Sequence, residues 1–183
     1  MKALPVSILA AVLAAAGPAS AQTRPNHSPP RPAGPPRPAA SGPHRIGKFE
    51  DWQAAEHQEA GQTVCYAFTR PTASTPVLPG RGDVVLTVTE RPDGRDAVAL
   101  SAGFAYPREA EVHMVADGTT LPFYTSNHSA FAKNGKEAAT AFGHARQTTA
   151  HSTGPRQGAV TDMFSLRGFA AAYAAINKAC PSR

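Results

Sequence analysis

Between residues 49 and 165 apolar and polar side chains alternate with a period of two, in short runs separated by turn-forming residues. That period belongs to strands half buried against a core. Residues 49–56 and 63–69 read as a hairpin around Glu59-Ala60-Gly61, with Val64, Tyr66 and Phe68 on one strand face and Cys65 on the other. A second hairpin joins 84–90 to 97–104 across Arg91-Pro92-Asp93-Gly94, where proline pre-sets the turn and glycine accepts the left-handed conformation. A third joins 111–116 to 119–125 at Asp117-Gly118, a strong two-residue hairpin signal. A fourth pairs 147–152 with 159–165 across residues 154–158. Eight short strands in antiparallel pairs predict a mainly β fold, a two-sheet antiparallel β-sandwich of the immunoglobulin-like kind.

Two stretches change period. Residues 136–145 are alanine-rich and predict a short helix. In the C-terminal stretch Leu166, Phe169, Tyr173, Ile176 and Cys180 recur at spacings of three and four, one face of a C-terminal α-helix, with Ser165 as its expected cap. Cys180 therefore falls on the face that packs against the sheets.

The N-terminal part has neither period. Residues 1–21 read as a cleaved signal peptide: Lys2 gives the positive start, Leu4 to Ala16 are almost wholly apolar, and Ala19-Ser20-Ala21 supplies the small residues of a cleavage site. The apolar run, about 13 residues, falls short of the roughly 20 that span a bilayer. No later segment reads as a membrane span, so the mature chain is expected to be soluble, in the periplasm, at the cell envelope or secreted. Residues 22–45 hold eight prolines and no apolar side chain larger than alanine or proline, too little to offset chain entropy. They predict a disordered basic linker, and residues 46–183 a single domain.

Export changes the reading of charge and of cysteine. The formal charge of +5 and pI near 9.6 suggest nucleic acid, but the excess is local. Arg24, Arg31, Arg37 and Arg45 lie in the linker with no acid beside them, while basic and acidic side chains balance from Ile46 onward. A neutral domain lacks the stripe that phosphate neutralisation needs, so nucleic acid is not an expected partner. Peripheral contact of the basic tail, as a spacer, with anionic lipid or polymer stays open beside the reading of a disordered leader with no specific role. In an oxidising compartment Cys65 and Cys180 are read as a disulfide ahead of two buried thiols or a metal site. Closing so long a loop is worth roughly 4 to 5 kcal/mol in the chain-entropy model.

Catalytic signatures are missing. The chain has no G-x-S-x-G, phosphate-cradling glycine loop, H-E-x-x-H or C-x-x-C, and its seven histidines are scattered, His144 and His151 being the nearest pair in sequence. Asp83, Asp93 and Asp117 read as turn residues. No enzyme activity, cofactor or metal is expected, although a site assembled from distant carboxylates or histidines stays open as the alternative. Arg81-Gly82-Asp83, before the strand at Val84, is a candidate interaction site by its adhesive association, set against a plain turn into that strand. Trp52, the one tryptophan, is read as core.

Residues 47–52, Thr63-Val64-Cys65-Tyr66-Ala67, Val88-Thr89-Glu90-Arg91-Pro92 and above all the run from Thr161 through Phe169 to Cys180 resemble the invasion-associated locus B family. The resemblance spans about residues 46–180. It departs from the family pattern at Glu90, where a histidine is usual, at Phe131, where tryptophan follows alanine, and across residues 152–158. It implies a non-enzymatic β-sandwich at the periplasm or cell surface, a binding module whose partner is an unidentified envelope or host protein. The family's name comes from entry into host red cells, but members are widespread in bacteria without that habit, so the name alone does not carry invasion to this chain; host interaction through a surface-displayed adhesin is the alternative role.

Overall fold

A computed structural model describes residues 42–182. The expected signal peptide at 1–21 and residues 22–41 of the expected linker lie outside the described residues. His44 and Arg45, which composition assigns to the linker, are instead the first rungs of strand β1 (His44–Phe49), opposite Glu56 and Ala55. Ten strands follow: β2 (Trp52–Glu59), β3 (Gln62–Thr69), β4 (Ala73–Thr75), β5 (Val85–Arg91), β6 (Gly94–Ser101), β7 (Val112–Ala116), β8 (Thr119–Ser126), β9 (Ser129–Ala132), β10 (Gln147–Thr153) and β11 (Ala159–Ser165). Helix α1 (Gly135–His144) precedes β10, and α2 (Phe169–Ala179) ends the domain.

All four expected hairpins form, β2–β3, β5–β6, β7–β8 and β10–β11. Three strands beyond the expected eight have simple physical origins. The stretch read as one strand from Phe49 turns at Glu50, whose φ is 48°, so β1 lies before that turn and β2 after it. β4 and β9, at three and four residues, are too short for a period to show.

Strand order is β1-β2-β3-β5-β6-β9-β8-β7-β10-β11-β4, every pairing antiparallel. Trp52, Ala54, Cys65, Ala67, Leu86, Val88 and Leu100 from one half of that run share one buried cluster with Met114, Leu121, Ala150 and Phe164 from the other. This is the sandwich core, and β9, bonded to β6 on one side and β8 on the other, links the two layers. Trp52 has no exposed surface, and its Nε1 donates to the Ser165 carbonyl at 3.0 Å, tying β2 to β11. Among the described residues no helix is long and apolar enough to cross a membrane.

Helix α1 is capped by Asn134, whose side chain accepts from the Glu137 amide at 3.1 Å. The cap expected for α2 is corrected. Ser165 ends β11, and its hydroxyl donates to Asp51 and accepts from the Arg167 amide. Gly168 is the residue that starts the helix, at φ 84°. A Cβ there would stand 2.0 Å from the Phe49 carbonyl oxygen, so glycine is required both by conformation and by space. The helix packs on β1, β2 and β3 with Phe169 and Ile176 fully buried and Tyr173 partly so. Cys180, at its end, is bonded to Cys65 of β3, with Cα atoms 5.9 Å apart, so the bridge fixes the last helix to the sheet.

Candidate functional site

The Arg81-Gly82-Asp83 string is held in two different environments. Arg81 turns inward: Nη1 and Nη2 donate to the two carboxylate oxygens of Asp162 at 2.8 and 2.7 Å, and Nε donates to the Ala102 carbonyl at 2.7 Å. The guanidinium also lies 5.0 Å from the centre of the Phe104 ring, and Ser74 donates to Asp162 at 2.6 Å. The two charged side chains are only 8% and 1% exposed. Gly82 donates its amide to the Gly103 carbonyl at 2.8 Å, an approach so close that a Cβ on Gly103, at φ 72°, would lie 2.4 Å from the Gly82 oxygen. Asp83 faces solvent and pairs with Arg70 at 2.7 Å, which holds its carboxyl below the usual range through that hydrogen bond. Arg81 therefore clamps its loop to β11 and to the segment just after β6, and presents no free cation beside Asp83.

A second polar cluster surrounds the disulfide. Glu90 sits on the rung opposite Cys65 and has no exposed surface. Its Oε2 accepts from Arg95 Nε at 2.8 Å and from the Asp96 amide at 3.2 Å, while Oε1 has no partner. Arg95 donates onward to the Cys180 carbonyl at 2.6 Å and to Asn177, and Tyr173 donates to Asp96, so the β5–β6 hairpin grips the end of α2. Burial pushes the Glu90 carboxyl up to about 7. Burial, with Asp96 as acceptor, pushes the Tyr173 hydroxyl up to about 12.

The sign of the resulting pH dependence follows from which state keeps the proton. An unfolded glutamate titrates near 4.3, so between there and about 7 the folded chain binds the extra proton. Stability is greatest below pH 4 as far as this group is concerned and falls as pH rises towards 7. Urea unfolding at pH 4.5 and pH 8 should differ by roughly 2 to 3 kcal/mol from Glu90, and the Glu90→Gln variant should lose that difference. An unchanged pH profile in the variant would assign the slope to other groups. A carboxyl so enclosed meets no solute from solvent, which makes this cluster a fastening for α2.

A cavity of about 630 Å³ opens between the β7–β8 turn and α1, lined among others by Ala116, Asp117, Lys136, Glu137 and His144. Its charged side chains are all exposed, and no buried polar group converges on it. Between β7 and β10 the strand register sets His113 directly opposite His151, a neighbourhood that sequence distance conceals. His113 lies 3.6 Å from Glu111. Among the described residues no group of three or more His, Cys, Asp or Glu could hold a metal ion.

The remaining feature is the outer face of β1, β2, β3, β5, β6 and β9. Since Cys65, Ala67 and Leu86 point into the core, the alternate residues point out, and the register places Gln53, Phe68, Thr87, Ala99, Phe131 and, on β8, Tyr124 in one row across the strands. Ala55, Tyr66, Thr89 and Ala97 form the next row. Tyr66 and Phe68 have ring centres 5.9 Å apart, and Tyr124 stacks on Phe131 at 5.4 Å. Tyr124 is 53% exposed, and Tyr66, Phe68 and Phe131 are half-buried. Neither row carries a charge between Arg45 on β1 and Lys133 after β9. An ordinary solvated strand face carries charges at such positions, whereas interface centres are depleted of them and enriched in Tyr and Phe.

The family described as invasion associated locus B (IalB) protein matches residues 52–177. The crystal structure of invasion associated protein b from Bartonella henselae is similar in fold, with a TM-score of 0.53 and 15% sequence identity, over 73% of this chain and 95% of that one. No curated protein sequence matches the chain.

Proposed function

The chain belongs to the invasion associated locus B family, and from that membership we propose that it is an exported, envelope-associated binding module that acts by contact and not by catalysis. The observation that carries this reading is the two charge-free rows at the centre of the outer face, with their two aromatic pairs, Tyr66 with Phe68 and Phe131 with Tyr124. Aromatic side chains bring large contact area at little entropic cost, and leaving them in water has no structural purpose that the core does not already serve. Export is supported by the signal-like residues 1–21 and by the Cys65–Cys180 bridge, which persists in an oxidising compartment. The Bartonella protein's name attaches invasion to that protein; for this chain the reading extends only to contact with another surface.

The test is site-specific photo-crosslinking in intact cells. A photoreactive phenylalanine analogue at Phe131 should yield cross-linked species, whereas the same analogue at Met163, 37% exposed on the outer side of β11, should yield none. Equal yields at the two positions, or none at Phe131, would overturn the assignment of the contact surface.

A further inference from the structure

The charges that border the aromatic face are not balanced. Arg45 and Lys48 lie on β1, opposite the outward residues Ala55 and Gln53, and Lys133 follows Phe131 by two residues, in the bend just after β9, where its amide donates to the Pro122 carbonyl at 3.0 Å. All three side chains are exposed, and none is in an ion pair among the described residues. The acids bordering the face are for the most part engaged: Glu59 pairs with Arg91, Asp83 with Arg70 and Glu50, beside Lys48, with Arg167, while Asp51 accepts from the Ser165 hydroxyl and Asp93 lies in the turn at one end. From β1 to β9 the strand spacing puts the two cationic margins roughly 24 Å apart. The face is thus aromatic at its centre, with cations free of ion pairs on both margins. In sequence, the acid-free basic run of residues 22–45 leads directly into Arg45.

We propose that this face docks on the surface of an anionic phospholipid bilayer, with Tyr66, Phe68, Tyr124 and Phe131 at the level of the headgroups and Arg45, Lys48 and Lys133 against lipid phosphates. The inference rests on the reading of this face as the contact surface and names its partner. Charge complementarity selects that partner. A second copy would set cationic margins against cationic margins, and a neutral polymer would leave them unused. Tyrosine rings are favoured at membrane interfaces because they offer an apolar body and a polar tip, and lysine and arginine are drawn to anionic headgroups. Docking of this kind needs no spanning helix.

Vesicle flotation of the whole exported chain, N-terminal segment included, tests the assignment with phosphatidylcholine alone and with phosphatidylcholine containing a third of phosphatidylglycerol. The wild-type chain should float with the anionic vesicles only, and raising the salt should release it. Lys48→Glu combined with Lys133→Glu should lower partitioning at least tenfold, as each cation near such a surface is worth roughly a fivefold change. Phe131→Ser with Tyr124→Ser should lower it about tenfold, and Lys178→Glu, on α2, should leave it unchanged. Should the serine pair fail to fold, the lysine pair decides alone. Failure of the wild-type chain to float, or undiminished flotation of the face variants, overturns the lipid assignment. In the second case the basic N-terminal segment does the binding. Photo-crosslinks from Phe131 to a protein, with no vesicle binding, would remove the lipid and leave the contact surface standing. The absence of both would remove both.

Discussion

Truncating Phe169 to alanine should lower the unfolding free energy by about 3 to 5 kcal/mol, against a few tenths for Lys178→Ala on the same helix. The ring has no exposed surface and stands among three others, with centres 4.9 Å from Trp52, 5.7 Å from Phe142 and 5.6 Å from Tyr173. Trp52 belongs to β2, Phe142 to α1 and Tyr173 to α2 itself, so one side chain links three elements. Its loss leaves a cavity that the neighbours cannot close, because Trp52 is tethered through Nε1 to Ser165 and the end of α2 through Cys180 to β3. Lys178 is exposed and contributes little beyond its charge near the helix C-terminus. Urea midpoints at unchanged m-value read the difference. Equal, small shifts in the two variants would mean that α2 is an appendage and not part of the core.

That α2 belongs to the core was legible in the sequence, because a three-four spacing of large apolar residues that ends in a cysteine identifies both the buried face and the bond that fixes it. The start of the helix was not. Ser165 has the chemistry of a cap, but β11 needs it as its last rung, and the chain gains the helix by a left-handed turn that only Gly168 fits. Local preference lost to the geometry of a strand-to-helix corner.

The outer face was harder still. Alternation put Tyr66 and Phe68 on one side of β3 and Cys65 on the other, but both sets are apolar, and a period of two gives no direction when neither face is charged. Only the location of α2, through Cys180, decides that the smaller side of β3 is the inner one. The same ambiguity hid Phe131, on a strand too short to read. Where a sequence alternates aromatic residues with small apolar ones, and not with charged ones, the strand has two buried-type faces and just one core to fill. The second is then available to a partner.

The Arg81–Asp162 pair provides the other large effect. Asp162→Ala should cost about 3 to 5 kcal/mol, because it leaves the Arg81 guanidinium enclosed without its counter-charge. Arg81→Ala should cost a similar amount for the converse reason, and the double variant should recover much of the loss, since no uncompensated buried charge remains. Asp83→Ala, two residues from Arg81, should leave the urea midpoint where it is, because the exposed pair with Arg70 is solvated with or without its partner. The contrast is informative because sequence proximity treats Arg81 and Asp83 as one unit, whereas burial divides them. If the three single variants shifted the midpoint equally, the clamp between the loop and β11 would carry no special energy. If the double variant lost the sum of the two single losses, Arg81 and Asp162 would each be stabilising through contacts other than with one another, leaving Ser74, Ala102 and Phe104 as the partners to test next.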